Sequence, residues 1–373
     1  MGSRDNREVI VVGAGASGLA AATALHAAGR DTVVLEARDR VGGRLHSAPV
    51  SHPQGALDLG ATWFWDGEDH VRALAARSGL VTFDQHLAGD TLLQESTGVR
   101  RLPGNLIDSP ARRFTTGTQS LAIALAAELP GDALRLSTAV TAIHPDNSSG
   151  LAVRTAAGIM HAEHVVLALP PALALERIDF FDTLPADLVG LARSTPVWMG
   201  AVAKIVAHYP APFWREQGLA GAAFSRTGPL QEVHDTSGPD GQPAALFGFA
   251  HAHTVGPGFD QAVTAQLTQL FGPTAADPNA VYIQNWATEP WTAPSTVHQL
   301  SDYSRFGHPL YQRPTLDGRL HWASTETATQ YAGHIEGALA AGKRAAQAVL
   351  AAPKLPNSQP ISASPDSPMR RLP

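Results

Sequence analysis

Residues 8–36 read EVIVVGAGASGLAAATALHAAGRDTVVLE, and this stretch decides the fold. Residues 8–12 (EVIVV) are a β-branched run of the kind that fills a buried parallel strand. Gly13-Ala14-Gly15-Ala16-Ser17-Gly18 follows, and the alanine-rich residues 19–28 then read as a helix closed by Gly29. Residues 32–35 (TVVL) are the next strand, which ends on Glu36. Strand, glycine loop, helix, strand and acid form the dinucleotide-binding fingerprint in the context it requires. Gly13 permits the tight turn, Gly15 lets backbone N–H groups approach a diphosphate, and Gly18 lets the helix lie close to the strand. The diphosphate then sits at a helix N-terminus, where unpaired N–H groups and the helix dipole favour negative charge. Glu36 can accept hydrogen bonds from both ribose hydroxyls and would repel a 2′-phosphate.

Working outward, Ala37-Arg38-Asp39-Arg40-Val41-Gly42-Gly43-Arg44 comes directly after the acid. A nicotinamide dinucleotide has no need of a second glycine pair and a following arginine at this place. The longer FAD does, because it runs past the second strand and Arg44 can neutralise phosphate charge. Asp58-Leu59-Gly60-Ala61-Thr62-Trp63 is a further small-residue turn, suited to close approach by an isoalloxazine ring. Near the C-terminus, Ser324-Thr325-Glu326-Thr327-Ala328 precedes an alanine-rich helix that starts near His334 or Ile335. That helix could aim its positive end at the flavin pyrimidine.

Seven blocks, in order, carry a resemblance to the flavin-containing amine oxidase family: GAGASGLAAA, LEARDRVGGR, DLGATW, FTTGTQSL, VVLALPP, MGAVAKIVAHYPAPFW and STETATQYAGHIEGALAAGKRAA. The similarity runs from about Arg7 to Leu350. It implies an α/β protein in which a Rossmann-like FAD-binding domain is interleaved with a mixed-sheet α+β substrate domain. The expected boundaries are residues 1–66, 118–172 and 315–351 for the first and 67–117 and 173–314 for the second. By the same resemblance, FAD contacts fall on Ser17, Glu36, Arg38, Arg44, Gly60, Ala61, Thr62, Trp63, Val140, Trp286, Trp291, Thr325, Glu326 and Ile335.

Composition narrows the remaining possibilities. The net charge is −6 with no basic run, which argues against a nucleic-acid partner. The chain has no cysteine, so disulfides, thiolate catalysis and flavin attachment through sulfur are excluded, and noncovalent FAD is expected. No apolar run reaches the roughly 18–20 residues of a membrane helix. No signal-like segment precedes the first strand, so a cytoplasmic protein is expected. Residues 352–373 are rich in Pro and Ser and read as a disordered tail.

In the middle of the chain, residues 137–143, 151–155 and 164–169 are strand-like, residues 197–209 begin a substrate-side sheet, and residues 259–271 suit an amphipathic helix. Lys204 sits in a strand between apolar neighbours. A buried ammonium is costly unless it gains partners or loses its proton. The plain alternative is an edge-strand lysine reaching solvent; the resemblance instead implies a lysine that holds a water against the flavin N5. The sixteen histidines include an H-x-H pair, His251 and His253, but no third ligand is placed by any motif and no metal is expected. Trp63, Trp286 and Trp291 are expected at the flavin, and Trp65 is either there or in the core.

Two departures from the family stand out. The pair of tyrosines that flanks the flavin face in monoamine oxidases is missing. One of the two positions is His334 here and the other falls near residues 295–297. An imidazole at His334 can act as a base, hydrogen-bond a polar substrate, or only fill space. In addition, only about fifteen residues (99–114) stand where the family usually carries a long helical insert. That reduced insert implies a wider entrance or cover from a second subunit, as in a homo-oligomer. The expected reaction is oxidation of an amine CH–NH bond to an imine, with O2 as acceptor and H2O2 as product. Desaturation or isomerisation of a carbon–carbon bond is the alternative, followed by a flavin-bound partner protein without turnover.

Overall fold

The computed structural model describes residues 6–50, 55–146, 150–295 and 303–353. Residues 296 and 297, beside the second missing tyrosine, and the expected tail from residue 354 lie outside the described residues.

The Asn6–Val12 strand pairs in parallel with Thr32–Leu35 on one side and Gly158–Leu167 on the other, with Val11 opposite both Val34 and Val166. Its side chains alternate, so Val9 and Val11 join one apolar cluster while Ile10 and Val12 join another on the opposite face. Both faces are covered, which is why the strand reads as an unbroken apolar run. The seven-stranded sheet built on it runs in the order Val140–Pro145, Leu151–Thr155, Gly158–Leu167, Asn6–Val12, Thr32–Leu35 and Leu134–Arg135, and Leu320–Trp322 adds to Gly158–Leu167.

The first helix, Ala16–Ala27, starts inside the glycine loop, ahead of the alanine run. A Cβ on Gly18 would stand 1.9 Å from the Gly13 carbonyl oxygen, so only glycine lets the helix begin there. Gly29, at φ +77°, closes it. The C-terminal helix Ile335–Ala351 lies against Ala16–Ala27, so close that a Cβ on Gly342 would stand 2.1 Å from the Ser17 carbonyl oxygen. The small residues of both helices permit this approach.

The first strand begins two residues before the expected Glu8, and three strand boundaries in the middle of the chain also differ from the sequence reading, each for a local reason. The strand expected over residues 137–143 is Val140–Pro145, because Ser137 is left-handed at φ 51°. That expected over 164–169 is the longer Gly158–Leu167, and it ends where Pro170 and Pro171 start the Pro171–Arg177 helix. That expected over 197–209 is Val202–Tyr209, because Met199 turns the chain at φ 66°.

The second seven-stranded sheet runs in the order Ala280–Asn285, Val202–Tyr209, Ala244–His251, Glu232–Asp235, Leu219–Ser225, Asp90–Glu95 and Gly98–Leu102. Val202–Tyr209 has a neighbour on each side, with Lys204 opposite both Phe249 and Gln284, so the edge-strand reading of Lys204 does not apply. The Phe259–Phe271 helix covers this sheet with Val263, Leu267, Leu270 and Phe271. The short stretch after Leu102 forms no helix. Its Asn105 side chain accepts from the N–H groups of Ile107 and Asp108, and the chain then joins Arg112–Phe114, paired with Thr82–Asp84. Among the described residues, no helix is long and apolar enough to cross a membrane.

Candidate active site

A long cleft follows the glycine loop and crosses from the first sheet toward the second. Gly13, Gly15, Ser17, Glu36, Ala37, Arg38, Gly43 and Arg44 line one end, and Gly60, Ala61, Thr62, Trp63, Trp65 and His334 the other. Val140, Trp291, Thr325 and Ile335 also face it. Gly18 packs behind the loop, and Trp286, Glu326 and Lys204 are buried behind the wall.

Glu36 is held at the end of its strand by two backbone donors. Ala14 N–H reaches Oε2 at 2.7 Å and Arg38 N–H reaches Oε1 at 2.9 Å. The carboxylate is thereby fixed while its remaining lone pairs stay available to ribose hydroxyls. A Cβ on Gly15 would meet only the Gly42 carbonyl oxygen, at 3.8 Å, so the loop leaves open space where a diphosphate belongs. The Ala16–Ala27 and Ile335–Ala351 helices have no side-chain cap at their N-termini, and both begin at the cleft wall. Arg38 Nε and Ser324 Oγ, on residues that line the cleft, are buried without a protein partner. A group with diphosphate, ribose and a polar ring edge would satisfy these features, so the residues present fit FAD.

Arg44 lines the cleft and is also anchored from behind. Its guanidinium makes a bidentate pair with Glu326, at 2.6 and 3.1 Å, and donates to the Trp198 carbonyl. Glu326 is fully buried. Trp286 donates from Nε1 to the Leu59 carbonyl at 3.0 Å and so braces the Gly60 turn from behind. Thr325 Oγ1 donates to the His334 carbonyl and accepts from Gly333 N–H, pinning the loop that opens the last helix.

Lys204 lies under the Gly60–Thr62 turn. Nζ donates to the Gly60 carbonyl at 2.9 Å and to Thr62 Oγ1, and it lies 4.3 Å from the centre of the Phe247 ring. Burial, opposed by the charge of Asp58, pushes the ammonium down to about 7. Burial also raises the Asp58 carboxyl, with Lys204 opposing.

Two acid–histidine pairs set against the cleft-wall tryptophans Trp65 and Trp63 escaped the sequence reading. His334 Nδ1 is 2.6 Å from Glu68 Oε1, and the Trp65 ring centre lies 5.2 Å from that of the imidazole. His234 Nδ1 is 2.7 Å from Asp108 Oδ1, and its ring stacks on Phe247 at 4.7 Å. No motif signals either acid. Both pairings join segments more than a hundred residues apart. His251 and His253 stack on each other at 5.4 Å, and among the described residues no group of three potential metal ligands occurs.

The chain matches the family model described as flavin containing amine oxidoreductase over residues 16–114 and 87–350. It is 26% identical to the putrescine oxidase of Kocuria rosea, covering 95% of this chain and 97% of that one. It is 25% identical to the flavin-containing amine oxidase B of Sus scrofa, covering 96% and 89%. The first alignment extends over 472 positions against 373 residues here, so that relative carries segments this chain lacks. Among solved structures, a putrescine oxidase bound to putrescine superposes with a TM-score of 0.80 at 24% identity, covering 93% of this chain and 99% of that one. The cyclohexylamine oxidase of Brevibacterium oxydans also gives 0.80 at 24% identity, with 92% and 98% covered. The chain therefore belongs to the flavin-containing amine oxidoreductase family and is an FAD-dependent enzyme that oxidises amines.

Proposed function

We propose that the substrate is a monoamine with an apolar body, oxidised at its CH–NH bond with O2 as the acceptor. One observation carries this reading. Among the described residues, Glu36 is the one carboxylate lining the cleft, and it lies at the ribose end. The other end is walled by Trp63, Trp65, Phe249 and Trp198. A second ammonium, as in a diamine, would lose its hydration there without a counter-charge, whereas an aryl or alkyl body gains from the contact.

Ser17, Glu36, Arg38, Thr325 and the two helix N-termini would hold FAD, without a thioether link because the chain has no cysteine. When bound, the chemistry FAD supplies is removal of two electrons and the α-hydrogen from the amine, with return to O2 as H2O2. Lys204 holds the Gly60 carbonyl and Thr62 hydroxyl in place, and its Nζ is the donor that can keep a water at the cleft wall. The aromatic walls orient the amine and exclude water from its α-carbon. The relatives and solved structures named above are all amine oxidases, and nothing in the site favours a carbon–carbon reaction.

The deciding experiment is anaerobic titration of the FAD-loaded protein with primary and secondary monoamines and with diamines. Bleaching by apolar monoamines, H2O2 on admitting air, and a much weaker response to diamines are the expected outcomes. A flavin bleached best by a diamine would overturn the substrate class, and one that no amine bleaches would overturn the reaction.

A further inference from the structure

His334 is about a third exposed to the cleft, while Glu68 behind it is 1% exposed. With Glu68 as the carboxylate and His334 as the neutral imidazole, Oε1 accepts and Nδ1 is the donor in their 2.6 Å bond. That bond fixes the tautomer. The lone pair is left on Nε2, which has no hydrogen-bond partner among the described residues. Trp65 holds one side of the ring, and the Tyr331 ring centre lies 6.0 Å away. Glu68 is itself secured, because Oε2 accepts from Trp65 N–H.

We propose that Glu68 and His334 are the proton acceptor for the substrate's ammonium group, with Nε2 of His334 as the catalytic atom and Glu68 as its positioning residue. This inference rests on the amine-oxidising reading of the cleft and deepens it. Amines reach the enzyme at neutral pH as ammonium ions, and an ammonium has no lone pair to conjugate with the forming imine. One N–H bond of the ammonium breaks and its electron pair stays on nitrogen. The proton forms a new N–H bond at Nε2, and the resulting imidazolium is paired with the Glu68 carboxylate. No other reactant is needed, and the proton returns to solvent when product leaves.

The surroundings allow this transfer. His334 precedes the N-terminus of the Ile335–Ala351 helix, where the dipole opposes a cation, and the Glu68 carboxylate offsets that opposition. The other titratable neighbours have partners of their own. Glu336, two residues on, accepts from the N–H groups of His70 and Val71. The Tyr331 hydroxyl donates to the Gly67 carbonyl. Arg44, on the same cleft, is paired with Glu326.

The test compares wild type, His334→Tyr and Glu68→Gln as FAD-loaded proteins, with two probes. Benzylamine reports on oxidation. Its α,α-dimethyl analogue has no α-hydrogen, so it binds without reacting. Calorimetric binding of the analogue at about pH 7.5, in two buffers of different ionisation enthalpy, counts the protons released per amine bound. Wild type should release close to none, because the proton moves to Nε2. His334→Tyr should release about one, and Glu68→Gln should shift in the same direction. With benzylamine, wild type should keep activity at pH values where the free amine is fully protonated, while His334→Tyr loses it along the amine's own titration. A change in packing alone would not move proton counts. Release of one proton by wild type, or none by His334→Tyr, would overturn the acceptor role while leaving amine oxidation standing. Failure of benzylamine to bleach the wild-type flavin, together with no binding of its analogue, would defeat the amine reading and the acceptor role with it.

Discussion

The Lys204 Nζ lies 4.3 Å from the centre of the Phe247 ring, a cation–π contact buried in the protein interior. The ammonium is held there at a cost, since burial brings it down to about 7 despite the opposing charge of Asp58. An unfolded lysine keeps its proton to about pH 10.4. Between about pH 7 and pH 10 the unfolded state therefore binds more protons than the folded state, and stability rises with pH across that window. Below pH 7 both states are protonated and the penalty is at full size. Lys204→Met should flatten the slope, which urea unfolding of wild type and variant at a series of pH values would read directly. The same variant loses the donor beneath Gly60 and Thr62, so turnover should fall on the order of 10²-fold. Equal slopes in the two proteins would contradict the buried, depressed ammonium.

Arg44 and Glu326 form a bidentate pair whose acid is fully buried. Arg44→Met leaves that carboxylate without its partner and should cost about 3–5 kcal/mol of stability, as buried pairs do when one member is removed. The double variant Arg44→Met/Glu326→Met should lose less than the sum of the two single losses. Urea unfolding of the four proteins closes the cycle, and additive losses would show that the pair is not coupled.

The residues most legible in the sequence are those where backbone geometry demands one residue type. Gly13, Gly18 and Gly29, and the Val-rich strands around them, follow from local sterics and short-range pattern, and the Thr32–Leu35 strand falls where TVVL stands. The Phe259–Phe271 helix was legible because one apolar stripe recurs at helical spacing. Pairings across the fold leave no such trace. Arg44 reads as a phosphate ligand from its place after a glycine pair, but nothing local shows that its guanidinium also pairs with Glu326, 282 residues away. Glu68 lies 266 residues from His334. In sequence it is one more acid before a helix, and only the folded chain shows that it meets an imidazole.

Gly18 and Gly29 should respond very differently to the same substitution. A Cβ at Gly18 would lie 1.9 Å from the Gly13 carbonyl oxygen, so Gly18→Ala must shift either the helix or the loop that cradles the diphosphate. Gly29 has nothing within 4 Å of its would-be Cβ, and its φ of +77° is the whole cost. Gly29→Ala should lose only about 1 kcal/mol and keep FAD. Gly18→Ala should purify with little FAD or unfold at markedly lower denaturant. Flavin absorbance per chain and the urea midpoint distinguish the two, and equal behaviour would mean that the helix does not start against the loop.

His234 and Asp108 tie the short segment after Leu102 to the second sheet through a 2.7 Å bond between two buried groups. Burial works against a charged imidazole here, but the Asp108 hydrogen bond and the Glu232 carboxylate 3.7 Å from Nε2 outweigh it and hold His234 above the usual histidine range. A raised folded-state value means that the contribution to stability is complete below about pH 6.5 and is lost as pH rises through the folded value. Asp108→Asn should therefore destabilise most at acid pH, by about 1–3 kcal/mol, with the gap to wild type narrowing as pH rises. The functional consequence follows from the next residue. Ser109 Oγ accepts from Trp65 Nε1 at 3.2 Å, so loosening Asp108 frees an aromatic wall of the cleft. KM for an apolar amine should rise more than kcat falls, because substrate holding is weakened while Lys204 and the glycine loops stay in place. A fall in kcat at unchanged KM would show instead that this segment acts on the reaction step rather than on capture of the amine.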